Sequence, residues 1–321
     1  MSLNSILKKI AQRKEIIDNP PVLLDIGASK GINPAWKKIA DFSVCITFDA
    51  DSRDYEYIND SSNAFKELHV FNKIVVEQSR GEKKNFYLTQ SPYCSSFLKP
   101  NPDSLKHYHF AELFKVVEEV EIETIDLNAV LDKTGINRID WFKTDSQGTD
   151  LRLFKSVSNN VQDATIVLEF EPGFFDAYVG EDKVNHILNY QEENQNFYLV
   201  EFKVKGPIRM AGQDIDAVYN STLSKKIGTK IIKPIPGWAE ITFMNQLESA
   251  DAFPREFILG WMFSTLLNHD EIAYTYAKRG FQQFKDPFFT ELQNHSKRRL
   301  KRQVYSFSSL VKLIKRYTTS A

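Results

Sequence analysis

An apolar run of strand length that ends in a glycine turn constrains this chain more than any other feature. Val22-Leu23-Leu24-Asp25-Ile26 leads directly into Gly27-Ala28-Ser29-Lys30-Gly31. Five mostly apolar residues without a helical period, closed by glycine, predict a buried strand followed by a sharp turn. Glycine suits the turn because it accepts positive φ and lets the backbone approach a neighbour or ligand closely. Upstream, residues 3–17 read as a short amphipathic helix. Asp18-Asn19-Pro20-Pro21 then disfavours helix continuation and sets the next segment extended.

The strand signal recurs along the chain. Pro34 to Ala40 suits a helix start with proline in its first turn. Ser43 to Phe48 is a second buried-type run ending on Asp49, and a charged stretch to about Leu68 predicts helix. Lys73 to Val76 and Asn85 to Thr89 are further strand candidates, and Val116 to Ile125 alternates as a strand with one wet face does. Asp126 is placed to cap a helix over 127–133. Ile139 to Thr144 ends on Asp145, Asp163 to Phe170 ends on Glu171, and a helix near 184–192 precedes a strand near 197–204. Parallel strands need long crossovers, so this alternation predicts an α/β, Rossmann-like fold with a mostly parallel seven-stranded sheet and helices on both faces. Past about residue 222 the rhythm changes: Ile231 to Trp238 is extended and proline-bearing, and Phe253 to Phe284 reads as paired helices. The predicted organisation is an N-terminal helix over 1–20, an α/β domain over 21–222 and a mainly helical extension over 223–321 with a basic tail.

Bulk properties exclude several classes. The chain has 321 residues, 42% hydrophobic and 26% charged, with a formal net charge of −1. That balance supports a core without metals or disulfides and argues against nucleic-acid binding by the molecule as a whole. The two cysteines, Cys45 and Cys94, form no zinc pattern and fit a reducing compartment. No signal peptide or membrane span is visible, so the expectation is a cytoplasmic protein.

In an open parallel sheet, ligands bind beyond the carboxyl ends of the strands. The first strand delivers Gly27, Ala28 and Gly31 to that edge, and the second delivers Asp49, 22 positions beyond Gly27, with Asp51 close behind. An acid there is suited to hydrogen-bond an adenosine ribose. NAD and S-adenosylmethionine both use this layout. Gly-x-x-x-Gly leaves the dinucleotide fingerprint incomplete. Asp25 beside a pyrophosphate would be costly, whereas it favours the ammonium and sulfonium of S-adenosylmethionine. Lys30 is placed to meet the methionine carboxylate. The alternative for Asp25 and Asp49 is helix capping or a solvated strand end.

Four segments in order carry a family resemblance. They are Val22 to Ala28 with Gly31; Thr47-Phe48-Asp49-Ala50-Asp51; Ser95-Ser96-Phe97 with Pro100-Asn101; and Glu123 to Leu127 running into Ile139 to Asp150. Together they resemble the FkbM-type methyltransferases over about residues 20–204. The resemblance implies a class I methyltransferase fold, S-adenosylmethionine as cofactor, and methylation of a hydroxyl on a sugar, glycan or related natural product. Gln147 stands where the family has an acid, and Asp150 where it has a longer one.

For that chemistry Asp145, at the end of its strand, is the candidate base or acceptor orienter, against a structural carboxylate held by the Gly148 turn. Lys143 shares its sheet face and either pairs with Asp145 or orients the acceptor, an ordinary buried ion pair being the alternative. Glu169 and Glu171 flank Phe170, and one of them is expected to line the acceptor pocket; Glu169 is carried as the candidate. Ser96, with Ser95, is a candidate cofactor contact. His107 and His109 read as a solvated loop pair rather than metal ligands, and no required metal is expected. After Glu291 the chain carries Lys297, Arg298, Arg299, Lys301, Arg302, Lys312, Lys315 and Arg316 without an acid. This reads either as a packed helix with solvated charges or as a peripheral contact with a membrane's inner face. A non-catalytic scaffold that keeps the fold and an NAD-dependent oxidoreductase are the rival readings.

Overall fold

A computed structural model describes residues 2–28, 31–51, 53, 64–248 and 252–305. Among them, ten strands form two sheets. The larger contains β1 (Val22–Ile26), β2 (Val44–Phe48), β3 (Glu67–Phe71), β7 (Trp141–Thr144), β8 (Val167–Phe170), β9 (Phe197–Lys205) and β10 (Trp238–Asn245). Its order is β3-β2-β1-β7-β8-β10-β9. The first five strands in that order pair in parallel, and β10 runs antiparallel to both β8 and β9. The chain moves outward from β1 to β3 and then returns to place β7 beside β1, so the order reverses at the β1–β7 seam. Beyond the carboxyl ends of strands at such a seam, an open sheet leaves a crevice.

One sheet face is a continuous apolar core. Leu24, Ile26, Ile46, Phe48, Phe142, Leu168 and Phe170 pack with Val130 and Leu131, Leu153 and Phe154, and Ile187. Those partners come from the helices Leu127–Thr134, Asp150–Ser156 and Val184–Glu193. Asp126 caps the first of them through the Ala129 amide, and Gly135, at φ 70°, closes it.

Three expectations change in position. The charged stretch before Leu68 yields β3 at Glu67–Phe71, and its expected helix falls largely on residues outside the described set. The Ile74–Val76 run, β4, does not join the main sheet: it pairs with β6 (Val116–Asp126), which also pairs with β5 (Lys83–Thr89). Instead of an α-helix, Pro34–Lys38 and Ala40–Phe42 are single 3₁₀ turns.

The chain divides into two compact units. The α/β unit holds residues 22–33 and 43–246, reaching past 222 because β10 completes the sheet between β8 and β9. The second unit joins residues 1–21, 34–42 and 247–321, so the N-terminal helix and the C-terminal helices form one body. The expected N-terminal helix is two helices, Leu3–Ala11 and Lys14–Asp18. Lys9 pairs with Glu291 and Arg13 with Asp286, each at 2.6 Å. The paired helices expected after residue 253 are Pro254–Leu266 and Asp270–Phe284, followed by Pro287–Val304. Among the described residues no helix is long and apolar enough to cross a membrane. Lys312, Lys315 and Arg316 lie outside the described residues.

Candidate functional site

Three strand ends converge at the seam. The Gly27 and Ala28 amides both donate to the Phe48 carbonyl, at 3.0 and 3.2 Å, and the Asp145 amide donates to the Ile26 carbonyl at 2.9 Å. Gly27 has φ 85°, and a Cβ added there would collide with the Asp145 carbonyl oxygen. Glycine is therefore required at this position by the neighbouring strand end as well as by the turn.

Two cavities meet over this edge. The first is lined by Gly27, Asp49 and Asp51 on one side and by Ser95, Phe97 and Asp145 on another. Asp49 Oδ1 accepts the Asp51 amide at 2.9 Å. Asp51 is held by Arg53, whose Nη2 lies 2.6 Å away. Burial pushes the Asp51 carboxyl up, but its bonds to Arg53 prevail and bring it below the usual carboxylate range. Phe48, Ile74 and Val75 give this cavity apolar walls. A carboxylate at the end of β2 beside an apolar slot is an arrangement that fits an adenosine: diol hydroxyls donating to Asp49, base against the apolar wall.

The second cavity measures about 470 Å³ and carries Phe110, Phe114, Phe175, Tyr178 and Trp238 with Asp145, Glu171 and Glu181. Among the described residues no lysine or arginine lines it. Glu181 is committed locally, accepting the Ala177 and Tyr178 amides at 3.0 and 3.2 Å. Glu171 makes no hydrogen bond through its side chain to a described residue. Burial pushes its carboxyl up to about 8, helped by the carboxylates of Asp145, Asp150 and Glu240.

Asp145, Gln147 and Tyr93 line both cavities. Gln147 sits at φ 58°, a region non-glycine residues seldom adopt. Its Nε2 donates to Asp145 Oδ1, and Tyr178 Oη lies 2.9 Å from its Oε1. Ser96 Oγ donates to the Gln147 carbonyl at 3.1 Å. Beneath the turn, buried Asp150 accepts from Thr144 Oγ1 at 3.0 Å, from the Ser146 amide and hydroxyl, and from the Glu171 amide at 2.8 Å. Asp150 thereby ties the ends of β7 and β8 together.

The remaining expected site residues lie elsewhere. On the sheet face opposite the apolar core, strand register aligns Thr47, Asp25, Lys143, Glu169 and Thr242 in a row across five strands. Asp25 is fully buried, and its Oδ1 lies 2.7 Å from Lys143 Nζ. Burial alone would lower Lys143's pKa, but Asp25, Asp145 and Glu169 overcome it and hold the ammonium well above the ordinary lysine range. Glu169 Oε2 accepts from Trp141 Nε1 at 3.0 Å and Asn33 Nδ2 at 3.3 Å; burial raises its pKa. Neither Lys143 nor Glu169 lines either cavity, and Asp25 does not line the first.

Gly31, at φ 87°, donates its amide to the Ala28 carbonyl; neither residue lines the first cavity. Lys30 lies outside the described residues. Ser95, not Ser96, lines the first cavity. His109 stands at the second cavity, with its Nδ1 accepting the Ile208 amide at 3.2 Å, while His107 is exposed and lines neither. Among the described residues no three His, Cys, Asp or Glu side chains group to hold a metal. Sequence reasoning overlooked Tyr178 and Phe175, which sit in a loop without a pattern, and gave Asp150 no role. Of Glu169 and Glu171, the pair singled out in the sequence, it is Glu171 that lines the second cavity.

A mainly parallel sheet whose order reverses beside a carboxylate-bearing edge defines an α/β protein with a ligand crevice at the carboxyl ends of its strands. Residues 25–198 match the Methyltransferase FkbM domain. That span exceeds half of the 321 residues, and the chain belongs to the FkbM methyltransferase family. No curated protein matches it.

Proposed function

We propose that the chain is an S-adenosylmethionine-dependent O-methyltransferase of the class I fold, acting on a neutral hydroxylated acceptor such as a sugar or glycan. The observation that carries this reading is the shared lining of the two cavities. Asp145, Gln147 and Tyr93 border both, so a group held in one cavity meets a group held in the other at these side chains.

Asp49 would hold the cofactor's ribose, Gly27 and the apolar wall would accept its nucleoside, and Asp145 would face its cationic end. When bound, the cofactor supplies a methyl group on a sulfonium, already activated for in-line displacement by oxygen. Aromatic walls and carboxylates without a lysine or arginine suit an uncharged polyol and disfavour a phosphorylated or carboxylated one. Glu171 accepts the acceptor's hydroxyl proton, its raised pKa placing it near the working pH of a general base. Asp145, steadied by Gln147, orients the hydroxyl.

Lys143 and Asp25 act beneath the site as a fixed charge pair. A thermal-shift series with S-adenosylmethionine, S-adenosylhomocysteine and NAD tests the cofactor, and transfer of labelled methyl to a panel of neutral and phosphorylated sugars tests the reaction. Stabilisation by NAD alone would overturn the reading.

A further inference from the structure

The excursion between β9 and β10, residues 206–237, serves two surfaces. Its ends contribute Gly206, Pro207 and Gly237 to the second cavity. Its middle forms the helix Thr222–Ile231, capped by Ser221. Leu223, Ile227 and Ile231 recur every fourth residue there, with 68%, 49% and 76% of their surface exposed. Side chains four apart stack on one helix face, giving an apolar ridge about 12 Å long at 1.5 Å rise per residue. Another side is packed: Gly228 is buried, and a Cβ on it would strike the Tyr219 ring.

A helix of a water-surrounded protein normally turns such a stripe inward. Single exposed apolar residues are commonplace, but here the spacing is regular and the flanks are cationic. Helical geometry sets Lys226 and Lys230 along one border of the ridge, and neither forms an ion pair with a described residue. From 217 to 239 the chain holds Lys225, Lys226, Lys230 and Lys233 and no Asp or Glu. Lys225 is paired with Asp216 at 2.6 Å.

We propose that this helix docks the protein on an anionic phospholipid surface, with Leu223, Ile227 and Ile231 entering the acyl boundary and the lysines meeting lipid phosphates. Charge complementarity selects the occupant. Protein interfaces are enriched in aromatics and arginine and depleted in lysine, and this helix has neither aromatic nor arginine. An apolar ridge flanked by lysine is the pattern of helices that lie in the plane of a bilayer. The contact also places an excursion whose ends line the second cavity at the bilayer, where hydroxylated headgroups are found.

Cosedimentation of the full chain with phosphatidylcholine vesicles, with and without phosphatidylglycerol, tests the proposal without using methyl transfer as a readout, so its failure is distinct from failure of the enzymatic reading. Binding is expected only with phosphatidylglycerol and is expected to weaken with salt. Each lysine near such a surface contributes roughly fivefold, so Lys226→Glu/Lys230→Glu should lower partitioning at least about tenfold. The triple variant Leu223→Ser/Ile227→Ser/Ile231→Ser should lose binding while melting like the parent, since the three side chains are exposed.

Parent-like binding by both variants would put the contact elsewhere, for instance on the basic C-terminal stretch, and overturn the proposal. So would absence of binding to either vesicle. Light scattering that shows self-association abolished by the triple variant would assign the ridge to a second copy and overturn the proposal as well.

Discussion

Gly27 and Asp145 meet backbone to backbone at the seam of the sheet. A Cβ on Gly27 would run into the Asp145 carbonyl oxygen, while the Asp145 amide is already committed to the Ile26 carbonyl at 2.9 Å. The strand end cannot retreat from Gly27 without breaking that bond. Two costs therefore fall on Gly27→Ala. Positive φ costs an L-residue about 1–2 kcal/mol, and overpacking adds about 1–3 kcal/mol. Urea denaturation should show a loss of about 2–5 kcal/mol, together with loss of the thermal shift by S-adenosylmethionine. A variant as stable as the parent that still binds the cofactor would show the contact to be slack.

Asp25 and Lys143 form the fixed pair beneath the site. Asp25 is fully buried, so removing its partner leaves an uncompensated charge, and Lys143→Met should destabilise by about 3–5 kcal/mol. Adding Asp25→Asn removes the orphaned charge and should recover most of that loss. Because folding raises the Lys143 pKa, its contribution is fully present below the unfolded lysine pKa and is lost only as pH climbs through the higher folded value. A double variant no more stable than Lys143→Met, measured by chemical denaturation at neutral pH, would contradict the pairing.

That pair also marks where sequence reading stops. β1, β2, β7 and β8 are legible as apolar runs because each is buried on both faces and continuous, and Asp126 announces its helix by local capping chemistry. Asp25, Lys143 and Glu169 share a row only through the register of three strands, which no local pattern encodes, so their side chains could not be assigned to the ligand or to each other in advance. β3 is half exposed and lacks a long apolar run. β4 looks like its neighbours, but its partner β6 lies far along the chain. β10 hides behind a proline-bearing lead-in that resembles linker. Glu171 and Asp150 were visible as acids, but the fact that one hydrogen-bonds the other's amide depends on the crossover between them.

Glu171 gives the site a pH signature. Its folded pKa of about 8 lies above the unfolded glutamate value of 4.5. Between these values the folded state keeps a proton that the unfolded state has lost, so stability falls as pH rises through the window. Activity should move the other way, rising toward pH 8 as the carboxyl ionises and becomes able to accept a proton. Glu171→Gln should flatten that limb and lower kcat by about 10²–10⁴, while also reducing the decline of Tm with pH. A kcat/KM profile flat from pH 6 to 9 in the parent would remove Glu171 as the base.

Gln147 holds the other carboxylate. Its amide donates to Asp145 Oδ1, and its Oε1 lies 2.9 Å from Tyr178 Oη, whose one proton it shares with the Cys94 carbonyl at 2.8 Å; the Gln147 side chain adds no charge. Gln147→Glu keeps the size but replaces the donor with a second carboxylate. Two carboxylates in contact cannot both ionise readily, and one must take a proton. The acid limb of the kcat/KM profile should therefore shift upward, with kcat near the parent value at high pH only if the pair can still orient the acceptor. Tyr178→Phe removes the phenol behind Gln147 without adding charge and should lower kcat about threefold to tenfold, the loss of roughly one hydrogen bond, while leaving the profile in place. A Gln147→Glu enzyme whose profile coincides with the parent's would show that Asp145 carries no charge that the reaction uses.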